Sequence, residues 1–112
     1  MLDSFDFGLV RLEISSHRFV VNEKSINLRN KEYSLMEFFM RNPGRVLSRT
    51  KILEEVWDRN AFCSTNTVDV HISSLRSKIK PYAPSGLIRT IPCVGYIFDP
   101  NAEIEAQASS DY

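Results

Sequence analysis

Residues 65–80 constrain the fold of this chain most strongly, because their apolar side chains recur with the period of a helix. Val68, Ile72, Leu75 and Ile79 are spaced by four, three and four residues, so a helix would carry them as one narrow stripe. The pattern predicts a helix that packs this stripe against a core.

The opposite side of the same helix would carry mostly small polar groups flanked by cations. It holds Asn66, Val70, Ser73, Ser74 and Ser77, with Thr67 and Lys78 on one shoulder and Arg76 and Lys80 on the other. Short side chains let a backbone approach base edges, and Arg or Lys can reach phosphates, so the face suits a DNA major groove. An ordinary solvated helix would show the same pattern, and the pattern alone leaves both readings open.

Length and composition limit the class of protein. A chain of 112 residues suits one domain with a single core, and no apolar run approaches the 18 residues of a membrane span. Residues 1–10 hold two aspartates and no basic residue, unlike a signal peptide. Cys63 and Cys93 lack the spacing of a zinc site, so we expect reduced thiols in a cytoplasmic protein without metal or cofactor.

The formal net charge is zero, but the charges are unevenly distributed. Residues 29–91 hold eleven basic and six acidic residues, a net +5, whereas residues 92–112 hold no basic and four acidic residues, a net −4. Residues 1–28 are close to neutral, at −1. A basic middle block can bind phosphates although the sum is zero.

Turn and capping signals predict an α+β fold. Residues 8–28 read as a small antiparallel sheet, and helices are expected over 30–41, capped by Asn30, and over 49–57, capped by Ser48. Residues 45–47 suit a short strand, 58–64 a loop, and 87–91 with 96–98 a hairpin turning at 92–95. We therefore expect a frayed end or linker at 1–7, one domain at 8–99 and a flexible acidic tail at 100–112.

Four blocks of sequence, in this order, resemble the winged-helix effector domain of OmpR/PhoB response regulators. They are Leu28 with Lys31-Glu32-Tyr33 and Leu35-Met36-Glu37; Asn42 to Arg49 with Leu53 and Val56-Trp57; Thr67 to Ile72 with Leu75-Arg76 and Lys78-Ile79; and Ile88 to Ile91 with Gly95-Tyr96. The resemblance implies a winged helix with an N-terminal antiparallel sheet, three helices and a C-terminal hairpin wing.

The resemblance also implies transcriptional control by sequence-specific binding to double-stranded DNA. The recognition helix would offer Asn66, Thr67, Val70, His71, Ser73, Ser74 and Ser77, and the wing Arg89, Thr90, Val94 and Tyr96. A loop with Asp58, Arg59, Asn60 and Phe62 would contact RNA polymerase. A receiver domain and a sensor kinase belong to such regulators, and the effector domain, monomeric alone, would pair head to tail on direct repeats.

Some positions depart from the family pattern. Arg29 stands where Thr or Ser usually forms a capping box with Glu32, so the box should be lost. Asn66, Ser73 and Ser74 stand where Arg is frequent, and Pro92-Cys93 replaces the usual Arg-Gly of the wing. These changes leave an alternative open, in which a winged-helix protein-interaction module keeps only vestigial DNA binding.

Charged and reactive residues complete the expectations. Arg49, Arg76, Lys78 and Lys80 are candidate phosphate contacts, although Arg49 could equally form a surface pair with a carboxylate. His71 could contact the DNA backbone or make a structural hydrogen bond, and Asp69 should bond within the fold. We see no catalytic constellation, and a redox role for Cys93 is a remote hypothesis.

Overall fold

The computed structural model describes residues 4–57, 64–83 and 87–100, and these form the predicted α+β winged helix. The elements, in chain order, are β1 (Ser4–Asp6), β2 (Val10–Glu13), β3 (Arg18–Val21), β4 (Lys24–Ile26), α1 (Asn30–Arg41), β5 (Val46–Ser48), α2 (Arg49–Val56), α3 (Asn66–Ile79), β6 (Ile88–Ile91) and β7 (Gly95–Phe98). No helix of the described part is long and apolar enough to cross a membrane.

Strands β1 to β4 form an antiparallel sheet in sequential order. The prediction of a frayed end over residues 1–7 is wrong for Ser4–Asp6, which pair with β2. Phe7 follows and lies edge-on to Phe98, with ring centroids 5.4 Å apart. Contacts of Phe5 and Phe7 with the core anchor a segment whose three-residue strand would be too short to persist alone. The predicted acidic tail lies, apart from Pro100, outside the described residues.

Helix α1 has the predicted bounds, but its start differs from the prediction. Arg29, in extended conformation, is the residue before the helix, and Asn30 is the first helical residue. The backbone N–H of Arg29 donates to Glu32 Oε1 at 2.8 Å. Half of the capping box therefore survives, because this half requires a backbone N–H and not a Ser or Thr side chain. At α2 the prediction is confirmed: Ser48 Oγ accepts from the backbone N–H of Lys51 at 3.0 Å.

The predicted stripe of α3 is buried in full. Val68, Ile72 and Leu75 have no exposed surface, and Ile79 is almost as buried. They belong to one core with the buried faces of α1 and α2 and with the inner side of the N-terminal sheet. Burying a side chain of this size contributes about 2 kcal/mol, so this stripe fixes which side of α3 faces outward.

The predicted hairpin is formed by β6 and β7. It belongs to a second, three-stranded sheet in which β7 lies between β5 and β6. Ser48 pairs with Gly95 on one side of β7, and Ile91 pairs with Gly95 on the other. A Cβ atom at Gly95 would lie 2.0 Å from the carbonyl oxygen of Leu47. This close approach joins the wing to the strand that leads into α2.

We expect Gly95→Ala to reduce the free energy of unfolding by about 3 kcal/mol, because β5 must move away from β7 to admit the methyl group. Urea unfolding measures the loss. Val94→Ala, at an exposed neighbouring position, is the control and should change stability by less than about 0.5 kcal/mol. A Gly95→Ala variant as stable as this control would contradict the close packing.

Candidate nucleic-acid interface

The outward side of α3 carries a ridge of exposed residues parallel to the buried stripe. Asn66, Val70, Ser73 and Ser77 form this outer ridge, with the spacing of four, three and four residues, and Val70 is 58% exposed. An exposed valine among short polar side chains can contact a thymine methyl group in the major groove. The structure thus places these four predicted residues together on the surface.

One shoulder of α3 faces α1 and bonds to a buried carboxylate. Glu32, 1% exposed, accepts from Ser74 Oγ at 2.5 Å and from Lys78 Nζ at 2.5 Å. The prediction that Ser74 lies on the outer face is therefore wrong, since its hydroxyl points to α1 and the side chain is half-buried. Lys78 was predicted to meet phosphate, but here its ammonium group pairs with Glu32.

Glu32 stays ionised despite its burial. Burial alone would raise the pKa of the carboxyl, but hydrogen bonds from Lys78, Ser74 and the Arg29 N–H outweigh it and hold the pKa below the ordinary value. One carboxylate thus joins the start of α1 to two turns of α3. Sequence reasoning missed this role, because Ser74 and Lys78 lie 42 and 46 residues away along the chain.

His71 makes the structural hydrogen bond that was one of its two predicted roles. Its Nδ1 lies 2.8 Å from the carbonyl oxygen of Thr67, one turn earlier. Its ring stands edge-on to the buried indole of Trp57, with centroids 5.0 Å apart. Trp57 is a core residue, as predicted. DNA contact by His71 or Thr67 stays a prediction.

The other shoulder of α3 faces the wing and holds a cluster around Asp69. Its Oδ1 accepts from Arg49 Nε at 2.8 Å and from the hydroxyl of Tyr96. The guanidinium carbons of Arg49 and Arg76 each lie 5.2 Å from the centroid of the Tyr96 ring. Arg76 Nη2 also donates to Thr90 Oγ1 at 2.7 Å. The cluster therefore joins α2, α3 and both strands of the hairpin.

Contacts within this cluster shift the pKa values of Asp69 and Tyr96 in opposite directions. The Tyr96 hydrogen bond, followed by the bond and charge of Arg49, lowers the pKa of Asp69 against the opposing effect of burial. Burial and the Asp69 carboxylate raise the pKa of Tyr96. The prediction that Asp69 bonds within the fold is confirmed, and Arg49 forms the carboxylate pair that was the alternative to a phosphate contact.

The four predicted wing residues do not share one surface. Tyr96 is buried, so its ring lies between the hairpin and α3 instead of on the outside. Arg89 Nη2 lies 3.3 Å from Asp99 Oδ2. Val94, 53% exposed, and the exposed Cys93 form the tip of the turn. The predicted polymerase-contact residues Asp58, Arg59, Asn60 and Phe62 lie outside the described residues.

Comparisons with known proteins identify a family and several relatives that resemble this chain. Residues 22–98 match the family described as "Transcriptional regulatory protein, C terminal". Sensory transduction protein RegX3 of Mycobacterium tuberculosis is 42% identical over 91 residues, covering 80% of this chain and 40% of RegX3. Phosphate regulon transcriptional regulatory protein PhoB of Escherichia coli is 37% identical over 87 residues, covering 78% of this chain and 38% of PhoB. The chain spans about two fifths of the length of these relatives.

Solved structures show the same fold. Response regulator DrrB of Thermotoga maritima, an OmpR/PhoB homolog, matches with a TM-score of 0.75 and 32% identity, covering 87% of this chain and 44% of that one. The DNA-binding domain of response regulator AdeR matches with a TM-score of 0.78 over 85% of this chain and 97% of that one. The AdeR domain is only 22% identical, so it supports the fold alone.

We expect Glu32→Gln to lower the free energy of unfolding at pH 7 by about 2 kcal/mol, because a charged acceptor of three hydrogen bonds is lost. The folded pKa of Glu32 is depressed, so its contribution is complete above the unfolded value near 4.5 and is lost as pH falls through the folded value. The difference between variant and wild type should therefore shrink below about pH 4.5 in urea unfolding series.

Glu37→Gln on the same helix is the matched control, since Glu37 forms a partly exposed pair with Arg41 at 3.5 Å. It should cost less than about 0.5 kcal/mol. Equal losses for the two variants, or a Glu32→Gln loss that stays constant to pH 3, would refute the anchoring role of Glu32.

Proposed function

The chain belongs to the OmpR/PhoB-type family of response-regulator DNA-binding domains, and we propose that it reads duplex DNA with the outer ridge of α3 in the major groove. The exposed ridge carries the proposal. Its side chains are short, and its opposite stripe is fixed in the core, so the helix can approach base edges without loss of packing.

Phosphate contacts would come mainly from Lys80 and Arg76. Lys80 is exposed at the end of α3, and the guanidinium of Arg76 has only the neutral hydroxyl of Thr90 as its hydrogen-bond acceptor among the described residues. Arg49 and Lys78 each pair with a carboxylate, so a phosphate must compete with Asp69 or Glu32 to reach them. We therefore assign them a smaller share of the sequence-independent affinity than their charge suggests.

The hairpin would lie beside the groove that α3 enters. Its bonds to α3, through Tyr96 to Asp69 and through Arg76 to Thr90, support a fixed angle between the two elements. Its exposed tip at Val94 would then approach the neighbouring minor groove. Without an arginine at the tip, we expect little reading of minor-groove width there.

The partners of the complete protein are part of the same proposal. The length of the relatives supports a receiver domain controlled by a sensor kinase, with transcription regulated in the cytoplasm. We propose head-to-tail pairing on direct-repeat DNA and RNA polymerase contact through residues 58–64, both on the family resemblance. The alternative, a protein-interaction module with vestigial DNA binding, has no support from the comparisons.

Selection from a random duplex pool tests the function. A selected site should be bound about 10³-fold or more tightly than random DNA, and log K should fall with log salt with a slope of roughly −4 to −8. Binding that shows no preference, or is absent at low salt, would reject a sequence-reading role.

Two exposed residues should separate base reading from phosphate binding. Val70→Ala should change the preference at one base step several-fold while keeping the salt slope, because it removes a methyl contact and no charge. Lys80→Ala should weaken binding to all sequences and reduce the salt slope by about one. Both should fold normally, as Ala is a good helix former.

Val46→Ala supplies the matched control, because Val46 is similarly exposed, at 45%, but lies on β5. It should leave both affinity and preference unchanged. If Val46→Ala alters base preference as much as Val70→Ala does, the outer ridge is not the reading surface.

A further inference from the structure

We propose that Asp69 is a positioning residue that limits the DNA affinity of this domain, because its carboxylate holds Arg49 away from the phosphates of any duplex. The inference rests on the proposed function and adds a residue that opposes binding within the binding surface. It concerns the strength of sequence-independent contact, which the base-reading ridge does not determine.

The geometry shows that Asp69 engages Arg49 from a fixed position. Asp69 Oδ1 accepts both from Arg49 Nε, at 2.8 Å, and from the hydroxyl of Tyr96. The Tyr96 ring is buried, so its hydroxyl holds the carboxylate in place. The side chains of Arg49 and Asp69 are 30% and 37% exposed, so the pair lies at the surface where DNA would approach.

Asp69 also borders the groove between α3 and the wing. This groove, of about 350 Å³, is lined by Asp69, Ser73, Arg76, Ser77, Lys80 and Tyr96. Ser73 and Ser77 belong to the outer ridge, so the groove is continuous with the proposed reading surface. A phosphate drawn toward Arg76 and Lys80 would therefore lie close to the Arg49–Asp69 pair.

The position of Arg49 explains why its pairing matters. Arg49 is the first residue of α2, where free backbone N–H groups already favour an anion. An unpaired guanidinium there would add a strong, sequence-independent phosphate contact. With Asp69 as its partner, the charge of the guanidinium is neutralised before DNA arrives, so a phosphate that binds Arg49 must compete with Asp69 and gains little affinity.

Asp69→Asn tests the proposal, because the amide oxygen still accepts hydrogen bonds but no longer neutralises Arg49. Binding to random and selected duplexes should tighten about fivefold or more at 0.1 M salt, with the slope steeper by about one, as for one additional phosphate contact. A purely structural role would instead weaken binding. Unchanged or weaker binding by the folded variant therefore overturns the proposal.

Glu23→Gln is the matched control. Glu23 is exposed in the turn between β3 and β4, and its replacement changes the net charge of the chain by the same amount. The DNA affinity of this variant should stay within about twofold of wild type, because Glu23 lies in a turn of the N-terminal sheet and not on α2, α3 or the wing, and an exposed charge is screened at 0.1 M salt. An equal gain for both variants would assign the effect to total charge and overturn the proposal.

A double-mutant cycle identifies the mechanism. In an Arg49→Gln background, Asp69→Asn should produce less than half of its gain in log K, because the cation that it releases is absent. A full gain in that background would mean that Asp69 repels phosphate directly, against the proposal.

Arg49→Gln alone gives a test that does not depend on the folding of Asp69→Asn. It should change the salt slope by less than about half a unit, whereas Lys80→Gln should reduce it by about one. Equal reductions would show that Arg49 contacts phosphate freely. If the wild-type protein binds no duplex, the proposed function itself is rejected. If the wild-type protein binds selectively but the Asp69 and Arg49 variants give the contradicting results named above, only the role of Asp69 is rejected.

Discussion

The burial of one stripe of α3 is the contact on which the rest of the structure depends. Four apolar side chains fix the rotation of the helix about its own axis, so the residues half a turn away must face solvent. The two shoulders then face fixed neighbours, α1 on one side and the wing on the other. The packing of the core thus determines which side chains of α3 form its exposed surface.

At each shoulder of α3, a cation and a carboxylate from two different helices form an ion pair. Lys78 bonds to Glu32 and Arg49 bonds to Asp69, and each pair connects two helices. Such pairs give orientation more than stability, because desolvation offsets much of the attraction. The domain therefore has fewer available phosphate-binding charges than its basic middle block indicates, and Lys80 is one of those that are exposed.

Local sequence patterns predicted most of the helices and strands. The features that these patterns missed depend on contacts between residues far apart in the sequence. The stripe and ridge of α3 and the Ser48 cap follow from residues within one or two turns of each other. The bonds of Glu32 to α3 depend on a contact across more than forty residues, which no local rule describes. The β1 strand was missed because its three residues gain their stability from packing and pairing that the sequence does not display.

The order of the second sheet also determines how the domain can assemble. Its middle strand, β7, is the last of its three strands along the chain, and it pairs with β5, which lies about fifty residues earlier. Neither β5 nor β6 has another strand partner within the described residues. On the ribosome, β5 must therefore wait unpaired until α2, α3 and the hairpin have been synthesised. The pairing that joins the wing to the start of α2 closes a loop of about fifty residues, so it belongs among the late steps of folding.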